Sequence, residues 1–104
     1  MADEIRDNED GQRFELWHDG ELAGVMTYEA GEVDGGARAL NHTEIDDRFE
    51  GQGLGSEFVE GVLERLRGAG ESVLPYCPFV RAYLSRHTEY VDLVPDERRK
   101  QFDL

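Results

Sequence analysis

The chain has 104 residues and a mass of 11.8 kDa, and its 24 Asp and Glu residues against 11 Lys and Arg give a formal net charge of -13. This length is that of a single domain. The hydrophobic fraction of 38% excludes a membrane-spanning segment, and the negative charge excludes nucleic-acid binding through a basic surface. The acidic surplus favours a protein adapted to high salt, where salt screens carboxylate repulsion, over an ordinary acidic mesophilic protein.

Cysteine usage and the N-terminus bear on the cellular location. Cys77 is the only cysteine, so no internal disulfide is expected, as is usual in a reducing compartment. The first residues are acidic and lack the apolar segment of a signal peptide. We therefore predict a cytoplasmic protein. Three scattered histidines and one cysteine do not match a metal-binding pattern, so no metal is predicted.

The N-terminal half predicts an antiparallel meander. Residues 1–11 are polar and are predicted to form a flexible tail. Alternation of apolar and polar residues predicts strands over 13–18, 22–30 and 37–45. The dipeptide Asp19-Gly20 favours a tight hairpin between the first two of these strands, and residues 31–36 predict a second turn.

A loop with three alternating glycines follows the third strand. In "FEGQGLGSEF", residues 49–58, the glycines are Gly51, Gly53 and Gly55. Glycine permits positive φ and a close approach of another molecule to the backbone. A helix that begins here places unpaired N–H groups and a positive dipole end at the same point, which favours an anion. The loop therefore predicts a ligand site.

The C-terminal half changes to helical periodicity. Apolar residues recur at helical spacing from Leu54 to Leu66, and Gly68 and Gly70 end the predicted helix. Residues 71–77 predict a short strand, parallel to its partner because a helix connects them. A second helix is predicted over 78–86, a last short strand over 90–94 and a C-terminal tail over 95–104. The fold class is therefore α+β, with its domain over residues 12–94.

Two stretches carry a resemblance to a known family. They are "NHTEIDDRFEGQGLGSEFVEGVLERLR", residues 41–67, and "LPYCPFVRAYLSRHTEYVDLV", residues 74–94. Together they resemble the GNAT superfamily of acyl-CoA-dependent N-acetyltransferases, in the subgroup of small members with "HTE" and "CPFVRAYLSRHTEY" motifs. The resemblance implies a minimal GNAT-like acyl-CoA N-acyltransferase fold: an antiparallel meander, then helix, parallel strand, helix and short strand.

The resemblance also implies where acetyl-CoA binds. The backbone amides of the glycine loop would hold its pyrophosphate; they belong to Gln52, Gly53, Leu54, Gly55 and Ser56. The strand end at Glu44 and Ile45 would pair with the pantetheine amides. Glu50 stands where the superfamily motif has Arg or Gln, so we expect weaker binding of the anionic ligand at low salt.

Acyl transfer to an amine requires a base, since an ordinary lysine-like amine is protonated at neutral pH. His42 and Glu44 are two apart on a predicted strand and project from one face. His42 is the candidate for direct proton transfer, and Glu44 for transfer through water. Taken alone, such residues on a strand are more often surface groups.

Cys77 is the third catalytic candidate. A single cysteine is usually a small buried apolar residue, but this one directly precedes a predicted helix, where the thiol pKa is lowered. The resemblance pairs it with His42. Cys77 would either carry a transient acetyl group or donate a proton to the departing thiolate. The second role is favoured, because the usual route in the superfamily is direct transfer from the acyl donor to the amine.

Three residues of the second helix complete the predicted site. Phe79 and Tyr83 are four apart and either line the coenzyme A channel or pack in the core. Arg86 either reaches a phosphate or lies solvated at the helix end.

The predicted function is acetyl-CoA-dependent N-acetylation of an unidentified amine, which is either a small molecule or a protein. The alternative is a non-catalytic acyl-CoA-binding or protein-interaction module with the same fold. No nucleic-acid or membrane partner is expected. The small sheet is compatible with a monomer or a homodimer.

Overall fold

A computed structural model describes residues 3–30 and 37–104 and shows one mixed sheet with helices. The sheet has five strands in the order β1-β2-β3-β4-β5, of which the first four are antiparallel and β5 is parallel to β4. The strands are β1 (Asp3–Asn8), β2 (Arg13–His18), β3 (Glu21–Ala30), β4 (Arg38–Ile45) and β5 (Val73–Pro75), and the helices are α1 (Leu54–Gly68) and α2 (Pro78–Arg86). This arrangement confirms the predicted α+β fold class. The predicted turn over 31–36 lies outside the described residues.

The hairpin between β2 and β3 forms where the sequence predicts it. Asp19 and Gly20 have φ values of 49° and 83°, and they join His18 to Glu21, which are paired across the two strands. Positive φ at both central residues matches the right-handed twist of the flanking strands, and Asp-Gly is among the dipeptides that tolerate it.

The structure corrects the prediction of a flexible tail over residues 1–11. Asp3–Asn8 forms the edge strand β1, paired with β2. Ile5 lies opposite Leu16 in the register, and its side chain lies so close to Gly61 of α1 that a Cβ there would come within 2.0 Å of it. A strand with one apolar side chain shows no apolar alternation by which the sequence could predict it. Its stability comes from the pairing with β2 and from the contact with α1.

Both helices lie where the periodicity predicts them, and the core lies where they meet the sheet. The apolar face of α1 is buried along its length through Leu54, Phe58, Val59, Val62, Leu63 and Leu66. Phe58 lies over Gly24 of β3, and α2 buries Val80, Tyr83 and Leu84. Burial of such a continuous apolar stripe is the main stabilising contribution of an amphipathic helix.

The C-terminal segment differs from its prediction in two places. Residues Thr88–Leu93 form a 3-10 helix instead of a last short strand. Its buried residues are Tyr90 and Leu93, which are three apart and so share one face of a 3-10 helix. The predicted tail contains two more 3-10 turns, and Phe102 in the second is buried with its ring 5.2 Å from that of Tyr76. Within the described ranges, no helix is long and apolar enough to cross a membrane.

Candidate active site

The glycine loop adopts a conformation that only glycine adopts readily. After a 3-10 turn over Asp47–Phe49, Gly51 and Gly53 have φ values of 82° and 74°. A Cβ added at either residue would meet no atom within 4 Å. The two glycines are therefore required by backbone conformation and not by neighbouring atoms. Gly53 is also the N-cap of α1 and offers no side chain to its first N–H groups, so the helix start is open to a ligand.

The third glycine has a different role. Gly55 lies inside α1, and a Cβ there would be 2.7 Å from Cζ of Phe79. The missing side chain makes room for the ring of Phe79, a residue in the first turn of α2 that remains 43% exposed. Gly55 thus allows the N-terminal ends of the two helices to come together.

Strand β4 has one half that is paired on both sides and one that is not. The parallel strand β5 pairs with residues Arg38, Ala39 and Leu40 only. The chain then leaves the sheet, and the N–H of Cys77 donates to the carbonyl of Leu40 at 2.8 Å. Among the described residues, His42–Ile45 have a strand partner only on the β3 side. Beside the helix N-termini, β4 therefore presents an open edge of backbone hydrogen-bonding groups.

Cys77 lies at this divergence, as the N-cap of α2. It is 2% exposed, and its side chain does not cap the helix. Instead its Sγ lies 3.3 Å from Oγ1 of Thr43 on β4. Arg81 donates to the carbonyls of Pro75 and Tyr76 at 3.3 and 2.8 Å. These bonds fix the connection from which the thiol projects.

His42 and Glu44 lie on the other side of β4. Successive side chains of a strand alternate between faces, so the face opposite Thr43 carries these two residues, whose side chains are 64% and 61% exposed. Their Nε2 and Oε2 atoms are 3.9 Å apart. The same-face prediction is therefore confirmed. Cys77 contacts Thr43, whose side chain lies on the opposite face of β4 from that of His42.

A pocket of about 370 Å³ lies at the end of the β3–β4 pair. Its lining consists of Leu22, Ala23, Gly24, Val25, Glu44, Ile45, Asp46 and Asp47. The lining includes three carboxylates and no lysine or arginine. It includes Glu44 and Ile45 but neither Cys77 nor the glycines of the loop, so it is a separate cavity that borders the open edge.

The N-terminal strand is connected to the glycine loop by an ionisable cluster. Nδ1 of His18 lies 2.5 Å from Oδ1 of Asp3, and the hydrogen bond raises the pKa of His18 and lowers that of Asp3. Asp3 also raises the pKa of Glu57 in the first turn of α1. The His18 ring meets the edge of Phe49 with centroids 5.5 Å apart. The ionisation of groups near the glycine loop therefore depends partly on Asp3 of β1.

This geometry agrees with the comparison to protein families. A model of the GCN5-related N-acetyl-transferase family matches residues 13–93. The chain belongs to this family. The match spans the meander, the glycine loop, both helices and the first 3-10 helix after α2, so it covers the part of the acetyltransferase-family domain that carries the candidate site.

One solved structure is similar over most of both chains. A GCN5-like N-acetyltransferase candidate from Staphylococcus aureus, determined by NMR, is 25% identical, with a TM-score of 0.63 over 88% of this chain and 87% of that one. Glucosamine-6-phosphate N-acetyltransferase from Arabidopsis thaliana is 18% identical, with a TM-score of 0.44 over 82% of this chain and 63% of that one. No curated protein sequence matches the chain.

The remaining predicted residues of this GNAT-family domain are divided between surface and core. The residues from Gln52 to Ser56 lead into and begin α1, and Phe79 lies in the first turn of α2, against Gly55. Tyr83 is 3% exposed and stacks on His87 with centroids 4.0 Å apart, so the structure places it in the core. Arg86 is exposed in the last turn of α2. Sequence reasoning missed Thr43, because its partner Cys77 is 34 positions away and strand periodicity does not identify such a contact.

Proposed function

We propose that this protein is an acetyl-CoA-dependent N-acetyltransferase that acts on a cationic amine. The observation that carries the proposal is the divergence of β4 from β5 after Leu40, directly beside a glycine loop that begins α1. The GNAT family generally uses acetyl-CoA. An extended ligand with an anionic end and amide groups fits an open strand edge that leads to a helix N-terminus.

The residues present fit the two ends of acetyl-CoA. The unpaired amides at the start of α1 and the loop amides from Gln52 to Ser56 would hold the pyrophosphate. The strand end at Glu44 and Ile45, on the side of β4 that β5 does not cover, would pair with the pantetheine amides. The exposed ring of Phe79 would contact the chain between them, and Arg86 would contribute positive charge from the end of α2.

A thioester bound along the open edge would lie between the two faces of β4. On the exposed face, His42 takes a proton from the ammonium form of the amine, with Glu44 assisting through water, and releases it to solvent. The neutral nitrogen then bonds to the acetyl carbon, and His42 accepts the second proton that the nitrogen loses. As the bond between carbon and sulfur breaks, Cys77 on the buried face donates its proton to the departing thiolate. The proton held by His42 passes to solvent, and Cys77 regains one from solvent, which completes the cycle. In the alternative role, the Cys77 thiolate bonds to the acetyl carbon and the coenzyme A thiolate leaves; the amine then takes the acetyl group, and the Cys77 thiolate is released.

The pocket beside Glu44 supports a cationic acceptor. Its three carboxylates belong to Glu44, Asp46 and Asp47, and the whole chain carries a formal charge of -13. Such a field attracts a multiply charged amine and increases its association rate. We propose polyamines and lysine-containing peptides as the acceptor class.

The test has two steps. Calorimetry with acetyl-CoA should show binding, and release of free coenzyme A thiol should then be followed with a panel of polyamines and lysine peptides. We expect Cys77→Ala and His42→Ala each to reduce turnover by about 10²-fold or more. Glu44→Gln should also reduce it, whereas the matched change Glu4→Gln, on the far edge strand, should not.

Two results would overturn the proposal. Absence of acetyl-CoA binding by folded protein would remove the cofactor assignment. Binding without turnover of any amine, unaffected by changes at Cys77 and His42, would replace the enzyme with a non-catalytic acyl-CoA-binding module.

A further inference from the structure

The contact between Thr43 and Cys77 joins two rigid parts of the fold. Thr43 lies on β4 opposite Met26 of β3, which is fully buried. The backbone of Cys77 is held at both ends, since its N–H donates to Leu40 and its carbonyl accepts from the N–H of Arg81 at 3.0 Å. Threonine is β-branched and has few side-chain rotamers. Both side chains therefore project from fixed backbone positions, and Oγ1 and Sγ are 3.3 Å apart.

The thiol of Cys77 contacts the hydroxyl of Thr43 and not an N–H group of α2. A cysteine at an N-cap position is placed to interact with the free amides of its helix, yet Cys77 makes no such side-chain bond. A threonine hydroxyl accepts from a thiol and donates to a thiolate. Thr43 is thus a suitable partner for Cys77 in both protonation states, and it lies on the open half of β4, where the thioester would approach.

We infer that Thr43 is the positioning residue for Cys77: its hydroxyl aims the sulfur at the open edge of β4 and donates to the thiolate that forms there. The inference rests on the proposed function, because it assumes that Cys77 ionises during the reaction. If Thr43 served only to pack against its neighbours, its methyl group would be required and its hydroxyl would not.

Two substitutions separate the hydroxyl from the packing. Thr43→Val keeps the shape and removes the hydroxyl, and Thr43→Ser keeps the hydroxyl and removes a methyl group. The thiolate of Cys77 is titrated by its ultraviolet absorbance, with Cys77→Ala as the baseline. The charged residues of the two elements, His42 and Glu44 on β4 and Arg81 on α2, are the same in every variant. Loss of a donor to the thiolate should raise the midpoint in Thr43→Val by roughly half to one pH unit, while Thr43→Ser stays close to wild type.

Equal midpoints for Thr43→Val and the wild type, or equal shifts for both variants, would overturn the inference. Circular dichroism confirms folding, and Thr43→Ala replaces Thr43→Val if the latter does not fold. This titration needs no substrate, so it decides whether Thr43 donates to the Cys77 thiolate even if acetyl-CoA does not bind, a result that would remove the proposed function alone. If acetyl-CoA does bind, turnover should fall about tenfold in Thr43→Val and be retained in Thr43→Ser; retained turnover in Thr43→Val would refute a positioning role.

Discussion

Replacing Gly53 with alanine tests whether the glycine loop is fixed by backbone conformation. The φ of 74° is one that an L-residue adopts at a cost of roughly 1–2 kcal/mol. Alanine also reduces the entropy of the unfolded chain, which offsets about 0.4–1 kcal/mol. The added Cβ meets no atom within 4 Å, so no steric cost is added. We expect Gly53→Ala to lower the free energy of unfolding by about 1 kcal/mol and the midpoint of thermal unfolding by about 4 °C.

The matched control is Gly68→Ala, at the other end of the same helix. Gly68 also has no atom within 4 Å of an added Cβ, but it is helical and has no positive φ. Alanine is favoured over glycine in a helix, so this variant should be stabilised by up to about 1 kcal/mol. Urea unfolding of both proteins measures the difference. If Gly53→Ala proves as stable as Gly68→Ala, the left-handed conformation is not required and the reasoning about this loop fails.

Three further predictions concern pH, a polar contact and salt. Asp3 raises the pKa of His18 above 6.5, and His18 lowers that of Asp3 below 3.8. The stabilisation by this pair should therefore be complete between pH 3.8 and 6.5 and be lost as the pH rises through the folded-state pKa of His18. Asp3→Asn should abolish this pH dependence in urea unfolding, and an unchanged profile would contradict the prediction. Tyr28→Phe removes the hydrogen bond from the phenol to Asp7 and should cost roughly 1.5 kcal/mol in urea unfolding, whereas a cost near zero would show that the bond contributes nothing. With a formal charge of -13, thermal unfolding should occur at a higher temperature in about 2 M than in about 0.1 M KCl, and the opposite order would refute adaptation to salt.

The structural features that follow from neighbouring residues could be predicted from the sequence. The apolar spacing from Leu54 to Leu66 determines α1, and Pro78 with its following apolar residues determines α2. Asp19-Gly20 determines the first hairpin, since few residues accept positive φ there. The glycine loop and the shared face of His42 and Glu44 follow in the same way. In each case the residues that determine the feature lie close together in the chain, so periodicity or backbone sterics is sufficient to predict it.

Only the tertiary structure decided which segments join the sheet and which faces meet. The strand β1 has Ile5 as its one apolar side chain, and its ladder and its contact at Gly61 come from other parts of the chain. In Thr88–Leu93, Tyr90 and Leu93 are both buried; a 3-10 helix places residues three apart on one face, whereas a strand places them on opposite faces. Thr43 meets Cys77, and His42 does not, because the position of α2 against one face of β4 results from packing. Such contacts join residues far apart in the chain, and no local propensity encodes them.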